Sequence, residues 1–187
     1  MVFKKKHPDY SSQEGLIKAC KENDSKAQLR LYDQYFEAMY TVSINMVKDS
    51  HLAEDLMQEA FLSAFSKIKS FKGEVSFGAW LKRIVINKCL DYLKKKKVYF
   101  EELDNQILAD EITVEEDQKA ATNTANSIKE EIKMLPDGYR AILTLHLLEG
   151  YDHKEISQIL GISSSTSRSQ YTRAKALLVK HLNSKNE

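Results

Sequence analysis

The chain has 187 residues, of which 42% are hydrophobic and 29% charged, so it can form one domain or two small ones and has a soluble protein's composition. No apolar run approaches the roughly 20 residues of a membrane span, and the basic start MVFKKKHPDYSSQE has no apolar stretch behind it, so we expect neither membrane insertion nor a signal peptide. Cys20 and Cys89 lack a CxxC partner and the five histidines lack HxxxH or HExxH spacing, which favours a reduced, cytoplasmic protein without metal or cofactor.

The N-terminal half of the chain is predicted to be helical. We expect a short helix over 12–21, then a longer one from Ser25 to about Val47 with an apolar stripe of Leu29, Tyr32, Phe36, Tyr40 and Ile44. Ser50 is expected to cap a helix that runs to about Lys69. The loop SFKGEVS follows at 70–76, and a last helix covers 77–97.

The helix from Ser50 has two different faces. Helical spacing places one group of side chains on a broad apolar arc that predicts its core side: Leu56, Met57, Ala60, Phe61, Ala64, Phe65 and Ile68. The opposite side carries Asp55, Gln58, Glu59 and Leu62. Periodicity alone favours a solvated face with one stray leucine. The alternative is a docking surface, with an apolar anchor among carboxylates that suits a basic helical partner.

The helix at 77–97 is aromatic at its start and basic at its end. Phe71, Phe77 and Trp80 cluster around the preceding loop, and we expect Trp80 to belong to the core. The run Lys94–Lys97 is either a solvated helix end or a phosphate contact. We favour the phosphate contact, because four adjacent lysines repel one another unless an anion lies near.

Charge is distributed unevenly along the chain. The net charge is +1, but residues 98–124 hold eight acids and one base, a charge of −7, which leaves +8 elsewhere. These 27 residues lack a steady helical period and are too many for an ordinary loop. We therefore predict an acidic linker between two all-α domains, with no strand alternation or internal repeat in either.

The C-terminal part is predicted to contain helices near 125–134, 137–149, 153–160 and 164–183. The last two form a helix-turn-helix, because several local signals agree. Asp152 and Glu155 have the spacing of a capping box, Gly161 suits a helix end, and Ser163 or Ser164 can cap the next helix. That second helix carries side chains that hydrogen-bond phosphates and base edges: Arg168, Gln170, Thr172, Arg173 and Lys175.

Three separated segments together resemble one protein family. AEDLMQEAF (53–61), FKGEVSFGAWLKRIVINKCLDYL (71–93) and the stretch from Leu135 to Ala174 are similar to the extracytoplasmic-function (ECF) branch of bacterial sigma factors. The resemblance implies an N-terminal extension with a short helix at 1–24, sigma region 2 at 25–97, a linker at 98–124 and region 4 at 125–187. It also implies that the linker runs through the RNA exit channel of the polymerase.

The resemblance implies roles for particular residues. The residues that would contact the polymerase β′ coiled coil are Asp55, Gln58, Glu59 and Leu62. Recognition of the −10 element, with a flipped base held by the loop Ser70–Ser76, falls to Lys69, Ser70, Phe71, Lys72, Gly73, Arg83, Asn87, Asp91, Lys94 and Lys95. Reading of the −35 element in the major groove falls to Ser164, Ser165, Thr166, Arg168, Ser169, Thr172 and Arg173.

The second helix of the helix-turn-helix departs from the family pattern in three places. Ser165 stands where the family usually has Gly, and Ser167 stands where an apolar residue packs against the first helix. Ser167 and Ser163 also remove the usual staple partner of Ile162. Gln170 replaces an Arg, which predicts the loss of a phosphate contact.

We therefore expect an alternative sigma factor that directs core RNA polymerase to promoter DNA. The expected partners are core polymerase through its β′ coiled coil and β subunit, promoter DNA and an anti-sigma factor, with no small-molecule substrate and no membrane insertion. The alternative is a helix-turn-helix regulator with an N-terminal effector or dimerisation domain. An enzyme is not expected, because the sequence has no nucleophile–base set, metal spacing or Gly-rich phosphate loop.

Overall fold

The computed structural model describes residues 9–95 and 125–184, and every regular element in these two ranges is helical. The predicted all-α fold class is therefore confirmed. The N-terminal range contains α1 (Gln13–Lys21), α2 (Ser25–Val47), α3 (Ser50–Lys67) and α4 (Phe77–Lys95). The C-terminal range contains α5 (Ala125–Met134), α6 (Asp137–Leu143), α7 (His153–Leu160) and α8 (Ser164–Ser184).

The predicted helix boundaries hold closely, with differences at three ends. Ser50 is the first residue of α3 rather than its cap, and the last predicted turn of that helix is a 3₁₀ turn, Ile68–Ser70. The helix expected over 137–149 is α at first and continues as a π turn over Thr144–Leu148. The predicted linker, Lys96 and Lys97 lie outside the described residues.

The chain divides into two compact units. Among the described residues, the first comprises 9–43 and His51–Lys88, and the second comprises Ile44–Ser50, 89–95 and 125–184. Within the described part of the chain, no helix is both long and apolar enough to cross a membrane.

The core of the first unit lies among α1, α2, α3 and α4. Leu31, Phe61, Phe77 and Leu81 are all buried in it. The predicted arc of α3 is confirmed, since six of its residues are buried and Phe65 is half-buried. The stripe predicted for α2 is wrong at Leu29, which is 59% exposed. The deeply buried side of α2 instead carries apolar side chains that the stripe missed: Ala27, Leu31, Met39 and Val42.

The second unit has its own apolar core beneath the helix-turn-helix. Side chains from α5, α6 and α8 meet there: Ile132, Leu135, Tyr139, Leu143, Ala174 and Leu178. The two cysteines are buried. Burial raises the pKa of the Cys20 thiol to about 11, which keeps it protonated and unreactive at neutral pH.

Candidate nucleic-acid interface

Side-chain caps fix the start of each helix of the helix-turn-helix, and a glycine ends the first helix. The Asp152 carboxylate accepts from the Glu155 N–H at 2.7 Å, and the Glu155 carboxylate accepts from the Asp152 N–H at 2.8 Å, which completes the predicted capping box. Gly161 ends α7 with φ +73°, in the left-handed region that glycine adopts freely. Ser163 caps α8, since its hydroxyl accepts from the Thr166 N–H at 3.0 Å.

A polar contact joins α8 to α7 at the position where an apolar one is usual. Ser167 is fully buried, and its hydroxyl lies 3.0 Å from His153 Nδ1. The His153 ring stacks on His146, with centroids 4.7 Å apart, and the edge of Tyr171 meets both rings. Burial lowers the pKa of His153, and the neighbouring His146 and Arg168 lower it further. The Asp152 carboxylate has the opposite, smaller effect. Ser167 therefore anchors the start of α8 through a hydrogen bond.

The outer face of α8 presents the residues predicted to read the −35 element. Ser165, Arg168, Ser169 and Thr172 are exposed, whereas Ser164, Thr166 and Arg173 are half-buried. The Ser169 and Thr172 hydroxyls donate to the carbonyls of the residues four positions earlier, at 3.1 Å each. Gln170 does not belong to this face, because it is only 2% exposed. The Gln170 side chain is part of the packing of α8 instead.

The second candidate surface is the outer face of α3. Asp55, Gln58, Glu59 and Leu62 are all exposed, and Leu62 is exposed by 71%. The Glu59 carboxylate pairs with Lys88 Nζ at 3.1 Å. The structure thus brings the four predicted docking residues to one exposed face, with an uncovered leucine among polar and acidic side chains.

The loop after α3 borders an open cleft. The Phe71 ring is buried against Phe77 and Trp80, with centroid distances of 5.7 and 5.2 Å. Phe71 is therefore packed into the core rather than presented for stacking. Lys69, Ser70, Lys72 and Gly73 are exposed, and Gly73 has φ +78°. A cleft of about 460 Å³ lies between this loop and α1.

Helix α4 carries the remaining residues predicted to contact the −10 element. Asn87, Asp91, Lys94 and Lys95 are exposed, and Arg83 is half-buried. Their spacing of three or four residues places Arg83, Asn87, Asp91 and Lys94 along one side of the helix.

The sequence reasoning missed the contribution of α1 to this site. Gln13, Glu14, Ile17 and Lys21 line the cleft opposite the loop. Lys21 Nζ donates to the Phe71 carbonyl at 2.9 Å, across 50 residues of sequence. A contact of that separation leaves no signal in local spacing. Within 9–95 and 125–184, no cluster of His, Cys, Asp and Glu side chains is arranged to hold a metal ion.

Comparison with known families identifies two sigma-70 regions in the chain. Residues 31–98 match sigma-70 region 2, and residues 125–178 match sigma-70 region 4. The described helices, with a helix-turn-helix in the second match, are those of a sigma-70-type transcription initiation factor.

Two individual relatives identify the subfamily of sigma-70 factors to which the chain belongs. The chain is 32% identical to the ECF RNA polymerase sigma factor SigW of Bacillus subtilis over 89% of its own length and 94% of the relative's. It is 33% identical to the ECF sigma factor SigM of the same organism over 79% of its own length and 90% of the relative's. The chain therefore belongs to the ECF subfamily of sigma-70 factors and is an alternative sigma factor that directs RNA polymerase to promoters. A regulator with an effector domain, the alternative, is not supported.

Solved structures share the fold. The sigma factor RpoE of Bartonella quintana, solved in complex with the anti-sigma factor NepR, has a TM-score of 0.56 at 22% identity and covers 82% of this chain and 95% of its own. CnrH, solved with the cytosolic domain of CnrY, has a TM-score of 0.55 at 20% identity and covers 90% of this chain and 96% of its own.

Proposed function

We propose that this sigma factor holds core polymerase with the outer face of α3 and reads promoter DNA with two separate sites. The observation that carries the proposal is Leu62, which is 71% exposed among Asp55, Gln58 and Glu59. An apolar side chain within a polar rim has the composition of a binding hot spot, in which the rim excludes water from the anchor. Acidic rim residues suit a basic partner such as the polymerase β′ coiled coil, and a second contact is proposed with the β subunit.

We assign the −10 element to region 2. The loop from Ser70 to Ser76 takes an unpaired base, and the exposed residues of α4 hold the adjoining strand. Lys94 and Lys95 lie in the last turn of α4, where their charges attract phosphate. Unstacking a base costs a few kcal/mol, which pocket contacts and the held single strand offset.

We assign the −35 element to α8. Its N-terminal residues face outward from a rigid turn, with Arg168 exposed to reach phosphate or guanine. The Ser169 and Thr172 hydroxyls already donate to backbone carbonyls, and their oxygens remain able to accept from amino groups on base edges. The proposed domain limits are 25–97 for region 2, 98–124 for the linker and 125–187 for region 4, preceded by an extension at 1–24.

Run-off transcription with purified core polymerase tests the proposal. We expect the full chain to stimulate transcription from a small set of promoters in genomic DNA, while binding promoter DNA poorly without core enzyme. No stimulation on any template, or tight specific DNA binding by the free chain, would overturn it. On this proposal the chain catalyses no reaction of its own and works in the cytoplasm with the polymerase.

We further propose that an anti-sigma factor restrains this chain, since RpoE of Bartonella quintana was solved in complex with the anti-sigma factor NepR. The exposed leucine of α3 is the surface where such a factor and core polymerase exclude each other. The measurement is competition: a purified candidate anti-sigma factor should displace the chain from core enzyme. A candidate that binds the chain and the core enzyme simultaneously would contradict this assignment.

A further inference from the structure

The cleft between α1 and the loop at 71–76 has two walls, and only the loop wall belongs to the −10 assignment above. Ile17 from α1 and Val75 from the loop are apolar, and the buried Phe71 also lines the cleft. Val75 is 54% exposed, so an apolar surface remains open to a ligand. Cavities of ~300–1,000 Å³ take small molecules, and this cleft of about 460 Å³ accommodates one nucleotide. Flipped bases are held between apolar side chains in this manner.

Most polar side chains that line the cleft already form hydrogen bonds within the protein. The Gln13 amide donates to the Tyr35 hydroxyl at 2.5 Å, and the Ser76 hydroxyl caps α4 by accepting from the Ala79 N–H at 3.2 Å. Lys21 Nζ donates to the Phe71 carbonyl at 2.9 Å and lies 6.0 Å from the centroid of its ring. These contacts fix the walls and leave few side chains to read a ligand.

Glu14 supplies the one carboxylate among the residues that line the cleft. It is exposed in the first turn of α1, and no hydrogen bond or ion pair among the described residues occupies its carboxylate. On the other wall, a Cβ at Gly73 would meet nothing within 4 Å, so the backbone there is open to close approach. An ionised carboxylate only accepts hydrogen bonds, so it favours a base edge that carries an amino group.

We propose that α1 is the second wall of the base-capture site, with Glu14 as a specificity-determining residue for an unpaired base that bears an exocyclic amino group. Lys21 is a positioning residue, because it ties the Phe71 carbonyl of the loop to α1. Cytosine and adenine donate from an amino group on the pairing edge, and guanine donates from an amino group and a ring N–H. Thymine offers a single ring N–H between two carbonyl oxygens that a carboxylate repels. The proposal rests on capture of a −10 base by the loop and adds which base is taken and why.

Base selectivity of the holoenzyme tests the role of Glu14. Holoenzyme is mixed with single-stranded non-template oligonucleotides of a promoter in which each −10 position carries each of the four bases in turn. At one position, we expect a base with an amino group (guanine, cytosine or adenine) to bind about tenfold better than thymine, the scale of one hydrogen bond to a charged group. Glu14→Gln, whose amide both donates and accepts, should reduce this preference to about threefold or less.

Glu22→Gln is the matched control, since it removes the same charge just beyond the other end of α1 and away from the cleft. It should keep the full preference. If Glu14 had only a structural role, Glu14→Gln would weaken the binding of all four oligonucleotides alike. An unchanged base preference in Glu14→Gln would overturn the proposal. Failure of the underlying sigma function would show differently, because the wild-type holoenzyme would then transcribe no promoter at all.

Lys21 is tested by removal and conservative rescue. Lys21→Met keeps the apolar stem but cannot donate to the Phe71 carbonyl. We expect about tenfold fewer open complexes for every base at the captured position, on duplex and on premelted promoters alike. Lys21→Arg should restore most of the activity, because it still donates. Wild-type activity in Lys21→Met, or no rescue by Lys21→Arg in a folded protein, would overturn the positioning role.

Discussion

The two proposed DNA sites of this sigma factor differ in shape and in chemistry. The helix-turn-helix presents the convex face of α8, with exposed hydroxyls and Arg168, which suits the groove and phosphates of a duplex. The site beside α1 is concave, with Ile17 and Val75 as apolar walls and an open backbone at Gly73. Paired DNA hides the faces of its bases and offers their edges, whereas melted DNA exposes both. Each site therefore matches the state of the DNA that it is proposed to meet.

The sites also differ in how their geometry is held. Capping hydrogen bonds between residues three apart fix the helix-turn-helix, at Asp152 with Glu155 and at Ser163 with Thr166. A hydrogen bond from Lys21 to Phe71 connects the walls of the cleft across 50 residues. Local contacts form wherever the helices form, while the cleft exists only once the whole first unit has folded.

The largest expected effect is on holoenzyme assembly and concerns the docking face of α3, which is distinct from both DNA sites. Asp55→Arg combined with Glu59→Arg should weaken holoenzyme assembly by about two orders of magnitude, because like charges then meet across the interface. Assembly is measured by titrating labelled chain with core polymerase. Asp33→Arg with Glu37→Arg is the matched control, since this pair is also exposed and four residues apart, but on α2. Unchanged assembly in the α3 variant would show that polymerase docks elsewhere.

A smaller effect is expected in the duplex site. Arg168→Ala with Arg173→Ala should lower transcription from a promoter with a −35 element by about tenfold and leave core binding intact. The salt dependence of promoter binding by holoenzyme should become shallower by about one unit of slope for each lost phosphate contact.

Lys129→Ala with Lys180→Ala removes two exposed charges from α5 and the far part of α8, and serves as the control. It should leave the slope close to that of the wild-type chain. Loss of core binding in the Arg168 and Arg173 variant would mean that the roles of the two regions are misassigned.

The same contrast explains which features the sequence predicts. The cap residues of α7 and α8 were predictable individually, because a cap acts within one helical turn. Glu14 and Lys21 were not, because their roles depend on a loop that tertiary packing brings to them. The burial of Gln170 was not predictable for a related reason. A polar residue on a polar helix looks exposed, and only the packing of α8 against its neighbours buries it.

Side-chain direction accounts for the other errors. Leu29 fits a helical stripe with Tyr32 and Phe36, yet α2 turns a neighbouring side with Leu31 and Met39 to the core. Ser167 lacks the apolar side chain expected at its position, yet it is fully buried because His153 supplies a hydrogen-bond partner. A pattern of residue types predicts that a face is buried, while the partner across the contact determines which residues can occupy it.

The smallest expected effect concerns the hydrogen bond between His153 and Ser167 and depends on pH. The pKa of His153 is lowered by burial and then by His146 and Arg168, with Asp152 opposing, so the unfolded chain binds the proton more readily than the folded one. The stability that neutral His153 provides is therefore complete above the unfolded pKa of about 6.5 and is lost as the pH falls through the folded pKa. The cluster joins the π turn Thr144–Leu148, α7 and α8, so the loss should be confined to this part of the second unit.

Hydrogen exchange of the full chain measures this loss. After correction for intrinsic exchange rates, amides at the start of α8 should lose protection between pH 7.5 and pH 5.5, while amides of α3 should not. His153→Asn retains a polar group near Ser167 but cannot titrate, so its α8 protection should be flat over this range. His51→Asn, an exposed residue on α3, should behave as the wild-type chain. If the loss of protection persisted in His153→Asn, a group other than His153 would be taking up the proton. The helix-turn-helix would then be held by its caps alone.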